Sequence, residues 1–172
     1  SGSPRPDEAQ FVDYLNNGGK AAITYVRPDL SPFPGLFDLD FSNTAILTDP
    51  PVVHSWSTSH PIWNGIGSIS PTNISWGNNA RAFSLNGGGT LLGGVTPSPT
   101  ADSGIVMVTA DENVVFSGFS LTNFTDSADA IQFAENQIEF LLEQGVTPPP
   151  MVPAPAAALL LVSGLIACAR GR

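Results

Sequence analysis

The order of apolar and polar positions divides this chain into short regular pieces and long irregular ones. Between residues 7 and 17, Phe11, Tyr14 and Leu15 fall at helical spacing and Gly18-Gly19 supplies a stop, which predicts a short amphipathic helix. Residues 21–26 (AAITYV) form a mostly apolar run with β-branched members, as expected of a buried strand, and Pro28 ends it. Helix, Gly-Gly turn and buried strand together suggest an α/β unit. From 28 to 58 prolines alternate with Phe33, Phe37, Phe41 and Trp56 without a sustained period, so at most one short strand is expected, near 44–47. A further short strand is expected over 80–85, and Gly87 to Gly89 break the chain after it.

Three strands are then predicted, at 90–94, 104–109 (GIVMVT) and 113–119 (NVVFSGF). The last two are joined by an Asp111-Glu112 turn and should form a hairpin. Asp126 is positioned to cap a helix that starts at Ser127, with Ile131, Ala134, Ile138, Leu141 and Leu142 as its apolar face. Gly145 ends that helix, and Thr147-Pro148-Pro149-Pro150 reads as a stiff extended linker.

Beyond the linker the pattern changes in kind. Residues 156–169 carry no charge and are apolar on every face, with Arg170 and Arg172 immediately after them. Fourteen helical residues cover about 21 Å, less than the roughly 30 Å of a typical hydrocarbon core. The proline linker, the all-round apolarity and the basic end nonetheless favour a membrane segment over a buried helix of the domain. Positive residues stay on the cytoplasmic side, so the body should lie outside, which calls for an export signal upstream of Ser1.

Composition narrows the classes of function. A chain of 172 residues holds one domain with its own core, and 17 Gly with 16 Pro imply many turns. Fifteen acidic residues against six Lys and Arg give a net charge of −9, and without Arg170 and Arg172 the rest carries −11, a balance that repels nucleic acid. The single cysteine, Cys168, sits in the apolar tail, so the body has no disulfide, thiolate metal site or cysteine nucleophile.

The tail resembles the PEP-CTERM sorting signal in its VPxPAA form. The matching residues are Val152, Pro153, Ala154, Pro155, Ala156 and Ala157, followed by Leu160, Leu161, Val162, Ser163, Gly164 and Leu165. The resemblance implies recognition by an exosortase, an integral-membrane, transpeptidase-like cysteine enzyme of Gram-negative bacteria that make extracellular polysaccharide, with cleavage near the proline motif. Leu159, Leu160, Leu161, Ser163, Gly164, Leu165 and Ile166 would form the membrane segment and Arg170 and Arg172 its cytoplasmic end. Two departures stand out: Ala154 replaces the glutamate of Pro-Glu-Pro, and Gly171 interrupts the basic cluster.

The body is similar to the later part of a glutamine-amidotransferase-like or ThuA-like domain. The matching pieces are 11–19 leading into the strand at Ala21, His60-Pro61-Ile62-Trp63-Asn64-Gly65, and the final strand with the helix containing Asn136, Ile138, Phe140 and Leu141. They cover most of 9–145. This resemblance implies an α/β fold, an incomplete flavodoxin-like or amidotransferase-like sheet with flanking helices and long loops, whose opening strands lie upstream. With the tail, the organisation is a body at 1–145, a linker at 146–150 and a sorting tail at 151–172 that includes a C-terminal transmembrane helix at about 156–169.

Catalytic templates find no foothold in the body. An amidotransferase needs a cysteine on a strand-to-helix elbow, and none is present. Gly118-Phe119-Ser120-Leu121-Thr122 lacks the closing glycine of a serine elbow, and Gly87 to Gly89 precede a strand without a Lys-Ser/Thr pair. Asp38-Leu39-Asp40 opens like a calcium loop but lacks its glycine and distal glutamate, and His54 and His60 have no third zinc-ligand partner, so neither a metal nor a cofactor is expected. Trp56, Trp63 and Trp76 offer a possible aromatic platform for sugar rings, against the plainer role of anchoring loops to a core.

The reading that follows is a noncatalytic, exported surface or matrix protein, not an enzyme, with an exosortase and, before processing, the inner membrane as partners. One alternative is a carbohydrate-binding module for extracellular polysaccharide. The other is an amidotransferase-like hydrolase whose nucleophile lies upstream.

Overall fold

The structure, a computed structural model, describes residues 6–25, 33–44, 46–47, 51–71, 80–124 and 127–143. Helix α1 (Pro6–Asn16) leads into strand β1 (Ala21–Thr24). The junction is a Schellman motif: Gly18 adopts φ 79°, its N–H donates to the Leu15 carbonyl at 2.9 Å, and Gly19 N–H donates to the Tyr14 carbonyl at 2.9 Å. The Tyr14 hydroxyl then holds the exit, donating to the Lys20 carbonyl at 2.9 Å and accepting from Lys20 N–H at 3.0 Å.

The chain continues through α2 (Phe33–Leu36), β2 (Leu39–Asp40), β3 (Ile46–Leu47), β4 (Val53–Ser55), a 3-10 turn (Pro61–Trp63), β5 (Ser68–Ile69), β6 (Ala80–Arg81), β7 (Ser84–Leu85), β8 (Gly89–Gly94), β9 (Gly104–Thr109), β10 (Val114–Ser117) and α3 (Ala128–Glu143). Six strands form the main sheet in the order β1-β10-β9-β8-β4-β5, while β2-β7 and β3-β6 make separate two-stranded ribbons. The α/β class expected from the sequence is what the chain forms. The parallel, flavodoxin-like arrangement is confined to one pair, β1 with β10; the other four pairings of the main sheet are antiparallel. Loop length accounts for the β8-β9-β10 part, because the links at 95–103 and 110–113 are too short for the crossover that parallel neighbours require.

Both faces of the sheet are covered. Val114 and Phe116 of β10 point into one cluster with Phe37, Leu39, Phe83 and Met107, whereas Val115 joins a second with Ile62, Trp63, Phe119, Phe133 and Phe140. Burial on two sides explains why β9 and β10 read as continuous apolar runs in place of alternating ones. Four phenylalanines, Phe33, Phe37, Phe83 and Phe116, hold the first cluster together with ring centroids 5.3 to 5.8 Å apart.

Four expectations need correction. Residues 28–58, expected to hold at most one short strand near 44–47, contain three, β2, β3 and β4. The strand at 21–26 is short and forms an edge: only Ala21 of β1 is buried, and Tyr25 is exposed. The single strand expected at 80–85 is two strands, β6 and β7, each in a different ribbon, separated by buried Ala82 and Phe83. Most consequential, α3 does not bury the face formed by Ile131, Ala134, Ile138, Leu141 and Leu142. It packs through Ala130, Phe133, Asn136, Gln137, Phe140 and Leu141, leaving Ile131, Ile138 and Leu142 exposed. The helix is apolar on two sides, and the side with two phenylalanines removes more surface from water, at ~25 cal/mol per Å2.

Ser127 serves as its N-cap, its Oγ accepting from Ala130 N–H at 3.3 Å, while Asp126 lies outside the described residues. Among the described residues no helix is long and apolar enough to cross a membrane. The linker at 146–150 and the tail, with Val152, Pro153, Ala154, Pro155, Ala156, Leu159, Leu160, Leu161, Ser163, Gly164, Leu165, Ile166, Arg170 and Arg172, lie outside the described residues, as does Trp76.

Candidate functional site

Strand β4, which carries His54, delivers the chain into residues 56–65, where Trp56 lies against β8 and His60 and Trp63 meet α3. The two indoles lie on a glycine doublet. A Cβ on Gly93 would come within 2.6 Å of the Trp63 ring and 2.8 Å of the His54 carbonyl; one on Gly94 would overlap the Trp56 ring and lie 2.5 Å from the Ser103 carbonyl. Glycine is therefore required at both positions by close approach. The Leu92 carbonyl accepts twice, from Trp56 N–H at 2.9 Å and from Trp63 Nε1 at 2.8 Å.

The two tryptophans end in different environments. Trp63 is 1% exposed, with its ring 4.7 Å from Phe133, and belongs to the core; it contributes nothing to a ligand surface. Trp56 is half-buried, and its Nε1 donates to the Thr96 carbonyl at 2.8 Å. That bond sets Trp56 beside a hydroxyl-rich loop, 96–103, between β8 and β9. Thr96 Oγ1 lies 2.8 Å from Ser103 Oγ and donates to the Ser98 carbonyl at 2.8 Å, and Thr100 Oγ1 also pairs with Ser103 Oγ. Pro97, Ser98, Pro99 and Thr100 are exposed. One aromatic edge next to hydroxyls is the only piece of the expected platform that the described residues bring to the surface.

The histidines are separated in role. His54 sits within β4, opposite Gly94 and Ser68. His60 caps the 3-10 turn, its Nδ1 accepting from Ile62 N–H at 3.4 Å, and its ring rests 4.8 Å from Phe140. Burial holds the His60 imidazole below its ordinary range, with a smaller opposing pull from Glu112. Among the described residues no group of three or more His, Cys, Asp or Glu is arranged to hold a metal ion. Asp38 and Asp40 flank buried Leu39 at the start of a ribbon. Asp40 Oδ1 accepts from Ser42 N–H at 2.8 Å, and that hydrogen bond lowers the carboxyl's pKa.

The remaining chemical candidates have structural placements. Gly118 continues β10, donating to the Ile105 carbonyl and accepting from Arg81 N–H, both at 2.8 Å, and Phe119 is buried. Ser120 then enters a 3-10 turn at Leu121–Phe124, so no strand-to-helix elbow forms there. Gly87 and Gly88 make the turn between β7 and β8.

Sequence reasoning overlooked the polar residues beneath α3. Asn136 is buried and donates through Nδ2 to the carbonyls of Asn64 at 2.9 Å and Ile62 at 3.3 Å, while its Oδ1 accepts from Gln132 Nε2 at 3.0 Å. Ser55 Oγ, Ser117 Oγ, Arg81 Nε and Gln137 Nε2 are buried without hydrogen-bond partners among the described residues. The available signal was Asn136-Gln137 between two phenylalanines of one helix face, a polar pair where a purely apolar stripe would be expected.

The fold has a solved relative. A crystal structure of a protein described as ThuA-like, from Bacteroides uniformis, superimposes with a TM-score of 0.52 at 15% identity, covering 81% of this chain. This chain spans 65% of that protein's length. The likeness establishes a ThuA-like α/β architecture. No protein-family profile matches the sequence. No curated protein matches it either.

Proposed function

We propose that this chain is an exported protein, displayed at the cell surface or in the extracellular matrix, that an exosortase sorts through residues 151–172, and that its ThuA-like body is noncatalytic. The carrying observation is the order of parts in the tail: Val152-Pro153-Ala154-Pro155-Ala156, an uncharged apolar stretch to Ala169, then Arg170 and Arg172. Such a stretch is stable in hydrocarbon, and the arginines resist crossing, so the body is left on the outer side. The inner membrane is then a temporary partner. The absence of any cysteine before Cys168 supports a noncatalytic body, because the amidotransferase reaction depends on a thiolate nucleophile.

The test is expression of the full chain behind an export signal in a polysaccharide-producing Gram-negative host, with and without its exosortase. With the enzyme, the body should leave the membrane fraction with a new C-terminus near Pro155, and Pro153→Ala with Pro155→Ala should leave it uncleaved. Identical masses with and without the enzyme would reject sorting.

A second reading, binding of extracellular polysaccharide, draws on Trp56 beside the hydroxyls of 96–103. An indole edge next to fixed hydroxyls suits an apolar sugar face with polar rim groups. Trp56→Ala should then abolish retardation in gels containing the producer's polysaccharide, and unchanged retardation would rule out a role for this surface.

A further inference from the structure

Three asparagines of this chain are followed by glycine: Asn17, Asn64 and Asn86. The pair is chemically labile, because glycine puts no Cβ in the way when its nitrogen turns toward the preceding side-chain amide. In sequence the three are equivalent, and the fold separates them. We propose that Asn86 is a spontaneous modification site, converting through a cyclic imide to isoaspartate and aspartate, and that isoaspartate there loosens the β2-β7 ribbon.

Asn17 and Asn64 are held away from the reaction. Asn17 Nδ2 donates to the Asp13 carbonyl at 2.7 Å, and Gly18 N–H, whose nitrogen would attack, donates to the Leu15 carbonyl at 2.9 Å. Asn64, at φ −57° and ψ 120°, and Gly65, at φ 79°, are the central residues of a type II turn that Ile66 N–H closes on the Trp63 carbonyl at 3.0 Å. That ψ turns the Gly65 nitrogen away from the Asn64 side chain. Rotating it back would break the turn and pull the Asn64 carbonyl off Asn136 Nδ2.

Asn86 carries none of these restraints. It lies between β7 and β8 and is exposed, as are Gly87 and Gly88. Neither its side chain nor Gly87 N–H makes a hydrogen bond among the described residues, and a Cβ on Gly87 would meet nothing within 4 Å. The Gly87 nitrogen can therefore attack Asn86 Cγ: the new C–N bond forms, the bond to the amide nitrogen breaks, and ammonia leaves with the Gly87 proton. Water then opens the imide at either carbonyl, giving aspartate or isoaspartate.

The turn is pinned on both sides of the reacting atoms. Asn86 N–H donates to the Asp38 carbonyl at 2.9 Å, and the Gly88 carbonyl accepts from Ala110 N–H at 3.0 Å. Isoaspartate adds one methylene to the backbone between these anchors and a carboxylate beside Asp38, whose own Oδ2 lies against Gly88. Because Asp38 leads directly into β2, the pairing of Leu39 with Leu85 takes the strain.

The test is peptide mass mapping of the full folded chain during incubation in mildly alkaline buffer. The change from amide to acid should appear at residue 86 at least about tenfold faster than at 17 or 64, where hydrogen bonds must break first. In urea the three sites should convert at similar rates, since only the dipeptide then matters. Asn86→Ser, a change at an exposed position, should remove the fast component. Chains modified at 86, separated from the parent by their extra charge, should exchange amide hydrogens faster in peptides spanning β2 and β7. Equal rates at the three sites of the folded chain, faster conversion at 17 or 64, or unaltered exchange in the ribbon would each overturn the proposal.

Discussion

Asn136 and Asn64, seventy-two residues apart, are joined by a 2.9 Å hydrogen bond from the Nδ2 of the first to the backbone carbonyl of the second. The same nitrogen reaches the Ile62 carbonyl, so one amide satisfies two carbonyls of the turn that carries Trp63 into the core. Turns of this kind leave backbone acceptors unpaired, and burial makes each one costly. Asn136→Leu should therefore destabilise the protein by about 1–3 kcal/mol. Urea denaturation followed by tryptophan fluorescence measures it; an unchanged midpoint would mean that the clamp carries no net stability.

Gly94 is confined by the Trp56 ring on one side and the Ser103 backbone on the other. Gly94→Ala should cost about 1–3 kcal/mol through overpacking. Combining it with Trp56→Ala should recover part of that loss, since the ring yields but the Ser103 carbonyl does not. A double-mutant cycle showing strict additivity would contradict the contact.

Gln137 is buried, and its Nε2 has no hydrogen-bond partner among the described residues. Methionine has a similar volume and nothing to satisfy, so Gln137→Met should be neutral or stabilising, by up to about 1 kcal/mol. A clear loss of thermal stability would reveal a partner for that amide.

The depressed His60 pKa has a definite sign in stability. The unfolded chain takes up its proton near the ordinary value of 6.5, whereas the folded chain resists until lower pH. Between those values the unfolded state binds more protons, so stability falls as pH drops below about 6.5 and levels off beneath the folded pKa. His60→Asn keeps an acceptor for Ile62 N–H without titrating. Chemical denaturation from pH 7.5 to 5 should show a shallower slope for the variant than for the parent, and equal slopes would exclude His60 as the source.

How much was legible in the sequence depended on whether a segment's environment was local. The hairpin of β9 and β10 was, because an apolar run, an acidic turn and a second run suffice to specify it, and so was the Gly18-Gly19 stop. The orientation of α3 was not. Ile131, Ile138 and Leu142 make as good a helical stripe as Ala130, Phe133 and Phe140, and the choice rests with the surface that the sheet presents. The ribbons of β2-β7 and β3-β6 pair residues some forty apart, with no periodicity of their own to announce them. Of the tryptophans, Trp56 and Trp63 looked equivalent in sequence. Only the fold distinguishes a core indole from one that reaches the surface, because the difference comes from Phe133 beneath one and the 96–103 loop beside the other.

The glycine doublet beneath the two indoles also bears on strand alignment. The pairing of β8 with β9 shifts register between Leu91 and Gly93 and again between Gly93 and Gly94, and with Gly89, Gly93 and Gly94 in its six residues β8 is the glycine-rich kind of strand whose register is weakly specified. Sliding by one residue would put Leu92 or Val95 under a ring that has room for hydrogen alone. The doublet thus works as a notch and the indoles as its teeth, so that β8 locks against β4 in a single position despite the loose hydrogen-bond ladder on its other edge.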